Sequence, residues 1–152
     1  MATLLRVFPG RARADKRLSF ASMSQSPGPE APPPGGLSVL VVEDELPVAL
    51  ALEDMLRDIG HTVIARARTV AEALKALASR RPDAVLLDVN LAGEPAYRVA
   101  DFLNETGIPF VVATAYAPPS LPTSFDSALI LRKPFDRAAL KRGLEIVIAR
   151  RA

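Results

Sequence analysis

The fold of this chain is decided by one stretch, Ala84-Val85-Leu86-Leu87-Asp88-Val89-Asn90. Four apolar residues follow one another without a polar break and lead to a single carboxylate, Asp88. A short apolar run with Pro82-Asp83 before it and Gly93 after it is typical of a strand buried on both faces. Because ligands of open parallel sheets bind at the carboxyl ends of the strands, Asp88 is predicted to stand at a functional edge of the sheet.

Strand and helix patterns alternate on either side of this stretch. Further apolar, β-branched runs predict strands at 38–42, 62–65, 109–113 and 128–131. Helices are predicted between them, with Thr69 and Glu72 placed as a capping box and Asp136 as the cap of a last helix. Gly60 and Gly107 supply helix stops, since glycine readily adopts the left-handed conformation found there.

Five strands alternating with helices predict an α/β fold with a parallel sheet and right-handed crossovers. The expected form is a five-stranded sheet of flavodoxin-like order 2-1-3-4-5 with helices on both faces. One crossover is irregular, because Pro118, Pro119 and Pro122 follow the fourth strand and an interior proline costs a helix ~3 kcal/mol. The fourth helix is therefore predicted to be short, displaced or missing.

Composition excludes several classes of function. The chain has no cysteine, so disulfides, zinc–thiolate sites and cysteine nucleophiles are excluded. Its 49% apolar and 24% charged residues are ordinary for a globular protein. No apolar run approaches the ~18 residues needed to span a bilayer, so membrane insertion is not expected. A cytoplasmic location is compatible with these features.

Residues 1–36 are predicted to be a disordered leader ahead of one folded domain over 37–150. The leader is basic, with five Lys or Arg residues against two acids, and then rich in Pro, Gly and Ser from Ser24 to Gly36. A targeting segment and a start of synthesis at Met23 remain alternatives. The remaining residues carry fourteen basic and fifteen acidic side chains, so a nucleic-acid partner is not predicted.

Four predicted strands end in residues that carry chemistry. These are Glu43-Asp44 after the first, Asp88 after the third, Thr114 after the fourth and Lys133 after the fifth. In the expected strand order the first and third strands are neighbours, which brings Asp44 near Asp88. Adjacent carboxylates repel and stay ionised together only beside a cation. An all-oxygen donor set favours Mg²⁺, and a nearby lysine suits phosphoryl oxygens, so the pattern indicates phosphoryl transfer onto a carboxylate.

The order and spacing of these residues resemble the receiver domain of bacterial two-component response regulators, a CheY-like family. The motifs that carry the resemblance are Glu43-Asp44, Asp88, Thr114 and Lys133-Pro134-Phe135, and it extends from Leu37 to about Arg150. It implies that Asp88 is the phospho-acceptor. It also implies a Mg²⁺ site formed by Glu43, Asp44, Asp88 and the backbone carbonyl of Asn90.

The same resemblance assigns the remaining site residues. Lys133 would pair with the phosphoryl group, Thr114 would bond it in the switched state, and the Lys133–Pro134 peptide would be cis. The stretch 109–116 is similar to the Pro-Phe-x-Phe-Ala-Thr-Gly-Tyr pattern of the single-domain FAT GUY receivers, with Val112 in place of the second Phe and Ala115 in place of Gly. Tyr116, two residues after Thr114, is a candidate loop gate over the site.

One departure from the family pattern concerns the switch. Receivers usually carry Tyr or Phe three residues before the lysine, and this chain has Ile130 there. The usual coupling of a threonine to a rotating aromatic is therefore not expected. Ala115 adopts a positive φ less freely than Gly, which predicts a differently shaped loop.

Each site residue also has a purely structural interpretation. Asp44 would cap the first helix, Lys133 would be a solvated loop residue and Thr114 a strand end. The coincidence of four strand ends favours a functional site over these readings. His61, after a helix-stopping glycine, is interpreted as a surface turn residue and not as a phosphodonor or ligand, and Tyr97 as a helix-surface residue.

The resulting hypothesis is a stand-alone receiver, since only Arg150-Arg151-Ala152 follow the last helix. It would take a phosphoryl group from a sensor histidine kinase or phosphotransfer protein, then signal by protein contact, relay the group or drain it as a sink. It would not be an enzyme in the ordinary sense. One alternative is an aspartyl-phosphate phosphohydrolase, disfavoured because Asn90 stands where an acid is needed. Another is a constitutive, non-switching adaptor. Neither the cognate kinase nor the phospho-lifetime follows from the sequence.

Overall fold

The secondary structure is given by a computed structural model that describes residues 31–115 and 121–151. The strands are β1 (Ser38–Val42), β2 (Thr62–Ala67), β3 (Ala84–Leu87), β4 (Asn90–Leu91), β5 (Glu94–Pro95), β6 (Phe110–Thr114) and β7 (Leu129–Arg132). The helices are α1 (Leu46–Asp58), α2 (Val70–Ser79), α3 (Tyr97–Thr106) and α4 (Arg137–Arg151). None of these four helices is both long and apolar enough to cross a bilayer. The leader prediction for residues 1–30 lies outside the described residues.

Five strands form the central sheet, in the order β2-β1-β3-β6-β7. All neighbouring pairs are parallel, so the predicted α/β fold and flavodoxin-like strand order are confirmed. The stretch around Asp88 supplies the central strand, β3, which pairs with β1 on one side and β6 on the other. Its four residues are all buried, as expected for a strand covered on both faces.

Helices cover both faces of the sheet and create two apolar cores. Alternate residues of β3 point to opposite sides, so Val85 and Leu87 pack in one core while Ala84 and Leu86 pack in the other. The first core takes the buried side chains of α2 and α3, and the second takes those of α1 and α4. Because both faces of the sheet are covered, polar side chains can gather only near the ends of the strands.

The crossover between β6 and β7 contains a single 3₁₀ turn, Thr123–Phe125, among its described residues. This agrees with the prediction that the fourth helix is short or missing. Pro118 and Pro119, on which the prediction partly rested, lie outside the described residues. Phe125 is buried and meets Tyr97 edge-on, with ring centroids 5.7 Å apart. Tyr97 is exposed at the start of α3, as predicted. The turn therefore fills part of the sheet face that a regular helix would cover.

Local capping fixes the ends of two helices as the sequence predicts. The Glu72 backbone N–H donates to Thr69 Oγ1 at 3.1 Å, and the Glu72 carboxylate accepts from the Arg68 backbone N–H at 2.7 Å. Asp136 Oδ1 accepts from the Ala139 N–H at 2.7 Å. The end of β2 differs from the prediction, because the strand continues past 65 to Ala67 through pairing with β1.

The interpretation of His61 as a surface turn residue needs correction. His61 is partly buried, and its Nδ1 accepts a hydrogen bond from the Leu37 backbone N–H at 3.1 Å. Beside it, a Cβ on Gly36 would lie 2.3 Å from the Gly60 carbonyl oxygen, so only glycine fits there. The chain entering β1 is thus held against the turn that precedes β2, at the amino edge of the sheet.

The His61 contact predicts a pH-dependent stability. Burial lowers the pKa of His61 from its ordinary 6.5; Lys141 adds to this, while the Gly60 backbone and Glu145 oppose it. Because the folded-state pKa is the lower one, the stability contributed by neutral His61 is present above pH 6.5 and is lost as the pH falls through the folded pKa. We expect the free energy of unfolding in urea to fall by about 1 kcal/mol across this window. If the free energy of unfolding of the His61→Ala variant fell by the same amount over this pH range, the pH dependence could not be assigned to His61.

Candidate functional site

Three carboxylates gather where β1 and β3 end side by side. Val42 pairs with Leu87, so the next residues along each strand, Glu43 and Asp88, emerge at the same edge of the sheet. The Asp88 backbone N–H donates to the Val42 carbonyl at 3.1 Å, which extends this register to the acid itself. Carboxylate oxygens of Glu43, Asp44 and Asp88 lie within 4.8 Å of one another. The predicted meeting of Asp44 and Asp88 is therefore present.

Lys133 reaches this cluster from the end of β7. Its Nζ lies 2.6 Å from Glu43 Oε2 and 3.4 Å from Asp88 Oδ2. The Lys133 backbone N–H donates to the Thr114 carbonyl at 2.9 Å, which ties the end of β7 to the end of β6. The Lys133–Pro134 peptide bond is cis. The interpretation of Lys133 as a solvated loop residue is wrong, since only 21% of its side chain is exposed.

The electrostatics of the cluster favour bound positive charge. Burial raises the pKa of Glu43, which is 2% exposed, and the hydrogen bonds from Lys133 and the Glu45 backbone only partly offset this. Burial also lowers the pKa of Lys133, but the hydrogen bond to Glu43 and the nearby charges outweigh it, so the pKa of Lys133 is raised. Burial is therefore the main cause of the Glu43 shift, whereas the neighbouring carboxylates of Glu43 and Asp88 cause the Lys133 shift.

A hairpin holds the loop that follows Asp88. Strands β4 and β5 pair antiparallel, and the Gly93 N–H donates to Asn90 Oδ1 at 2.8 Å. Asp44 Oδ2 accepts from the Ala92 N–H at 3.1 Å, across 48 residues of sequence. Helix α1 begins without a side-chain cap, so the interpretation of Asp44 as a helix cap is wrong. Asp44 instead connects the first strand end to the hairpin.

The other predicted site residues lie at the end of β6, in β4 and in β7, and one lies outside the described residues. Thr114 ends β6 and is 5% exposed, and Asn90 begins β4, where its backbone N–H donates to Asp88 Oδ1 at 3.3 Å. Ile130 lies on β7 with 40% of its surface exposed. Ala115 has no positive φ. Tyr116, the candidate gate, lies outside the described residues.

The acidic cluster fits a Mg²⁺ ion by the chemistry of its donors. It offers carboxylate oxygens from three residues and no nitrogen or sulfur ligand, which is the preference of a hard divalent cation. The single Lys133 ammonium neutralises one of the three negative charges. The remaining excess matches the charge of a divalent ion, and the backbone carbonyl of Asn90 stands in the same loop as Asp88.

Two contributors to this edge of the sheet escape the sequence pattern. The Ala92 backbone N–H holds Asp44, and Ala92 has a φ of 52°, the one positive φ outside glycine among the described residues. The adjacent small residues Ala92-Gly93 were a signal for a tight turn. Arg68 follows the true end of β2 and donates from Nε to the Asp44 carbonyl at 3.4 Å. Because the sequence predicts that β2 ends at 65, it does not identify Arg68 as a residue at a strand end.

The fold and this strand-end cluster define a receiver of the two-component type. A family model, the response regulator receiver domain, matches residues 39–145, and the chain therefore belongs to this family. The resemblance found in the sequence is confirmed.

Relatives of known name support the same family. The chain is 36% identical to the phyllosphere-induced regulator PhyR of Methylorubrum extorquens, over 66% of this chain and 39% of that protein. The solution structure of SdrG from Sphingomonas melonis Fr1 matches with a TM-score of 0.66 and 36% identity, over 74% of this chain and 97% of that one. The receiver domain of Erythrobacter litoralis PhyR matches with a TM-score of 0.63 and 29% identity, over 75% and 91%. The chain thus spans well under half of its curated relative PhyR from Methylorubrum.

Proposed function

We propose that Asp88 accepts a phosphoryl group from a sensor histidine kinase or a histidine phosphotransfer protein. The observation that carries the proposal is the position of Lys133 Nζ, which contacts both Glu43 and Asp88 inside the acidic cluster. A cation held beside a nucleophilic carboxylate is suited to orient and neutralise an incoming phosphoryl group.

Each residue of the cluster then has a chemical role. An Asp88 carboxylate oxygen forms a bond to phosphorus while the bond from phosphorus to the histidine nitrogen of the donor breaks and that nitrogen keeps the electron pair. Lys133 stabilises charge on the phosphoryl oxygens. Glu43, Asp44, Asp88 and the Asn90 carbonyl would hold Mg²⁺, which would supply charge neutralisation when bound. In the switched state, the hydroxyl of Thr114, at the end of β6, donates a hydrogen bond to the phosphoryl group. The hydrogen bond to Glu43 raises the pKa of Lys133 and so keeps Lys133 charged and in place.

The output of this chemistry is a signalling state and not the turnover of a metabolite. Asn90 stands two residues after the acceptor, where the aspartyl-phosphate hydrolases need a general acid, so the acyl phosphate is expected to persist until water or a partner removes it. The phosphorylated domain would contact a downstream protein, relay the group, or act as a phosphate sink. We place this activity in the cytoplasm, and a nucleic-acid partner is not part of the proposal.

Ile130 motivates a second candidate function, that of a constitutive adaptor. It occupies the usual switch-aromatic position and is exposed, so no aromatic ring turns there in response to Thr114. Beryllofluoride with Mg²⁺ mimics the phosphoryl group and separates the two functions. A switching receiver is expected to show amide chemical-shift changes on β6 and β7, beyond the acidic cluster. Shifts confined to residues next to Asp88 would favour the adaptor.

The proposed function predicts covalent modification by a small-molecule donor. Acetyl phosphate with Mg²⁺ is expected to add a single phosphoryl group per chain, because the domain itself carries the catalytic groups. Intact-mass spectrometry measures the addition. Excess EDTA is expected to suppress it, since two charges of the cluster would then oppose the approach of a phosphate dianion. A chain that stays unmodified with Mg²⁺ present would contradict the proposal.

A further inference from the structure

A cavity of about 280 Å³, lined partly by charged residues, lies beside Asp44 next to the candidate site. Its walls come from the end of β2, the first turn of α2 and the turn of the β4–β5 hairpin. The lining residues are Asp44, Arg68, Thr69, Glu72 and Ala92. The cavity is large enough for a group of several non-hydrogen atoms. Asp44 both lines this cavity and belongs to the acidic cluster.

Arg68 is the one cation lining this cavity. Its Nε donates to the Asp44 backbone carbonyl at 3.4 Å, which orients the side chain along the cavity wall. The neighbouring Glu72 carboxylate is engaged as part of the helix cap, accepting from the Arg68 backbone N–H. Within the described residues no carboxylate pairs with the Arg68 guanidinium, so its outer N–H groups keep their charge available to a ligand.

We infer that Arg68 binds the acyl oxygen of an acyl-phosphate donor in this cavity, an inference that rests on the proposed function. In the transfer, an Asp88 carboxylate oxygen forms a bond to phosphorus while the bond from phosphorus to the acyl oxygen breaks. The electron pair of that bond leaves with the acyl group, which departs as a carboxylate. Negative charge therefore grows on the leaving oxygens, and a guanidinium is the side chain best matched to a carboxylate.

A donor of different leaving-group chemistry supplies the contrast. Phosphoramidate is protonated on nitrogen, and its phosphorus–nitrogen bond breaks so that nitrogen keeps the electron pair and departs as ammonia. That nitrogen offers no acceptor to a guanidinium. Arg68 is therefore a specificity-determining residue: it favours acyl phosphates, and it contributes nothing to phosphoramidate.

The test compares both donors on the Arg68→Gln variant. With Mg²⁺ present, the rate of phosphoryl incorporation from acetyl phosphate is expected to fall about tenfold, the effect of losing one charge-assisted hydrogen bond. The rate from phosphoramidate is expected to change by less than about twofold, within surface-charge effects. Arg68→Lys is expected to recover part of the loss. Arg142→Gln, which removes an exposed arginine from α4, is the matched control and should leave both rates unchanged.

Several results would overturn the inference. An equal fall with both donors would mean that Arg68 acts on the geometry of Asp44 and not on the donor, and no change with either would mean that it does not act at all. Beryllofluoride with Mg²⁺ should shift the same amides in Arg68→Gln as in the wild type, and loss of that response would also overturn it. A wild-type chain that neither donor labels would instead refute the proposed function itself.

Discussion

Replacing Asp88 with asparagine is expected to reduce phosphoryl incorporation from acetyl phosphate to background. The amide that replaces the carboxylate is not a nucleophile, so no acyl phosphate can form. The fold should survive, because the amide oxygen can still accept from the Asn90 backbone N–H, as Asp88 Oδ1 does. The backbone bond from position 88 to the Val42 carbonyl does not involve the side chain. Intact-mass spectrometry of both proteins, with Mg²⁺ present, measures the difference.

An exposed aspartate provides the control for this substitution. Asp126→Asn makes the same chemical change in the crossover before β7, at a residue outside the acidic cluster. It should incorporate one phosphoryl group at the wild-type rate. Modification of Asp88→Asn at the wild-type level would place the acceptor on another side chain and refute the role assigned to Asp88.

Lys133→Met is expected to lower the free energy of unfolding by about 3 kcal/mol at neutral pH without metal. Glu43 is 2% exposed and would lose the cation 2.6 Å away, while Asp44 and Asp88 remain as neighbouring negative charges. Removing the ammonium raises the pKa of Glu43 further. A raised folded-state pKa means that stability is lost as the pH rises past the ordinary glutamate value of 4.5. The deficit should therefore be larger near pH 8 than near pH 5, as measured by urea unfolding in EDTA.

A compensating change distinguishes charge from packing in this variant. The double variant Glu43→Gln, Lys133→Met removes both partners and is expected to regain most of the lost stability, because no unpaired charge remains buried. Lys75→Met, at an exposed position of α2, should unfold as the wild type does. Wild-type stability in Lys133→Met alone would show that the ion pair does not hold the cluster together.

The sheet could be predicted from the sequence because its strands are buried on both faces. Such strands appear as unbroken apolar runs, and the turn and cap residues around Thr69 and Asp136 mark the helices between them. The acidic cluster followed from the same reasoning, since parallel strands bring their carboxyl ends to one edge. This prediction required only the positions where β1, β3 and β7 end, and the charged residues Glu43, Asp88 and Lys133 indicate those positions.

Contacts that depend on the three-dimensional path of the backbone could not be predicted. The Asp44–Ala92 hydrogen bond joins residues 48 positions apart and uses a main-chain donor, which has no signature in side-chain pattern. Arg68 was missed because β2 is the outer strand of the sheet and its apolar pattern stops at residue 65. Pairing with β1 nevertheless extends the strand to Ala67. His61 looked like a turn residue because a lone histidine carries no periodicity to reveal its acceptor role towards Leu37.

The anchoring of Leu37 against His61 has a practical consequence for measuring this protein. It fixes the chain's entry at the amino edge of β1, whereas the acidic cluster lies at the carboxyl edge. The five residues of β1 separate the two by about 16 Å. A fluorophore or surface tether attached ahead of Pro33 therefore leaves the acceptor facing solution. Single-molecule or sensor-chip recordings of phosphoryl arrival can then be made on immobilised protein without the attachment competing with donors.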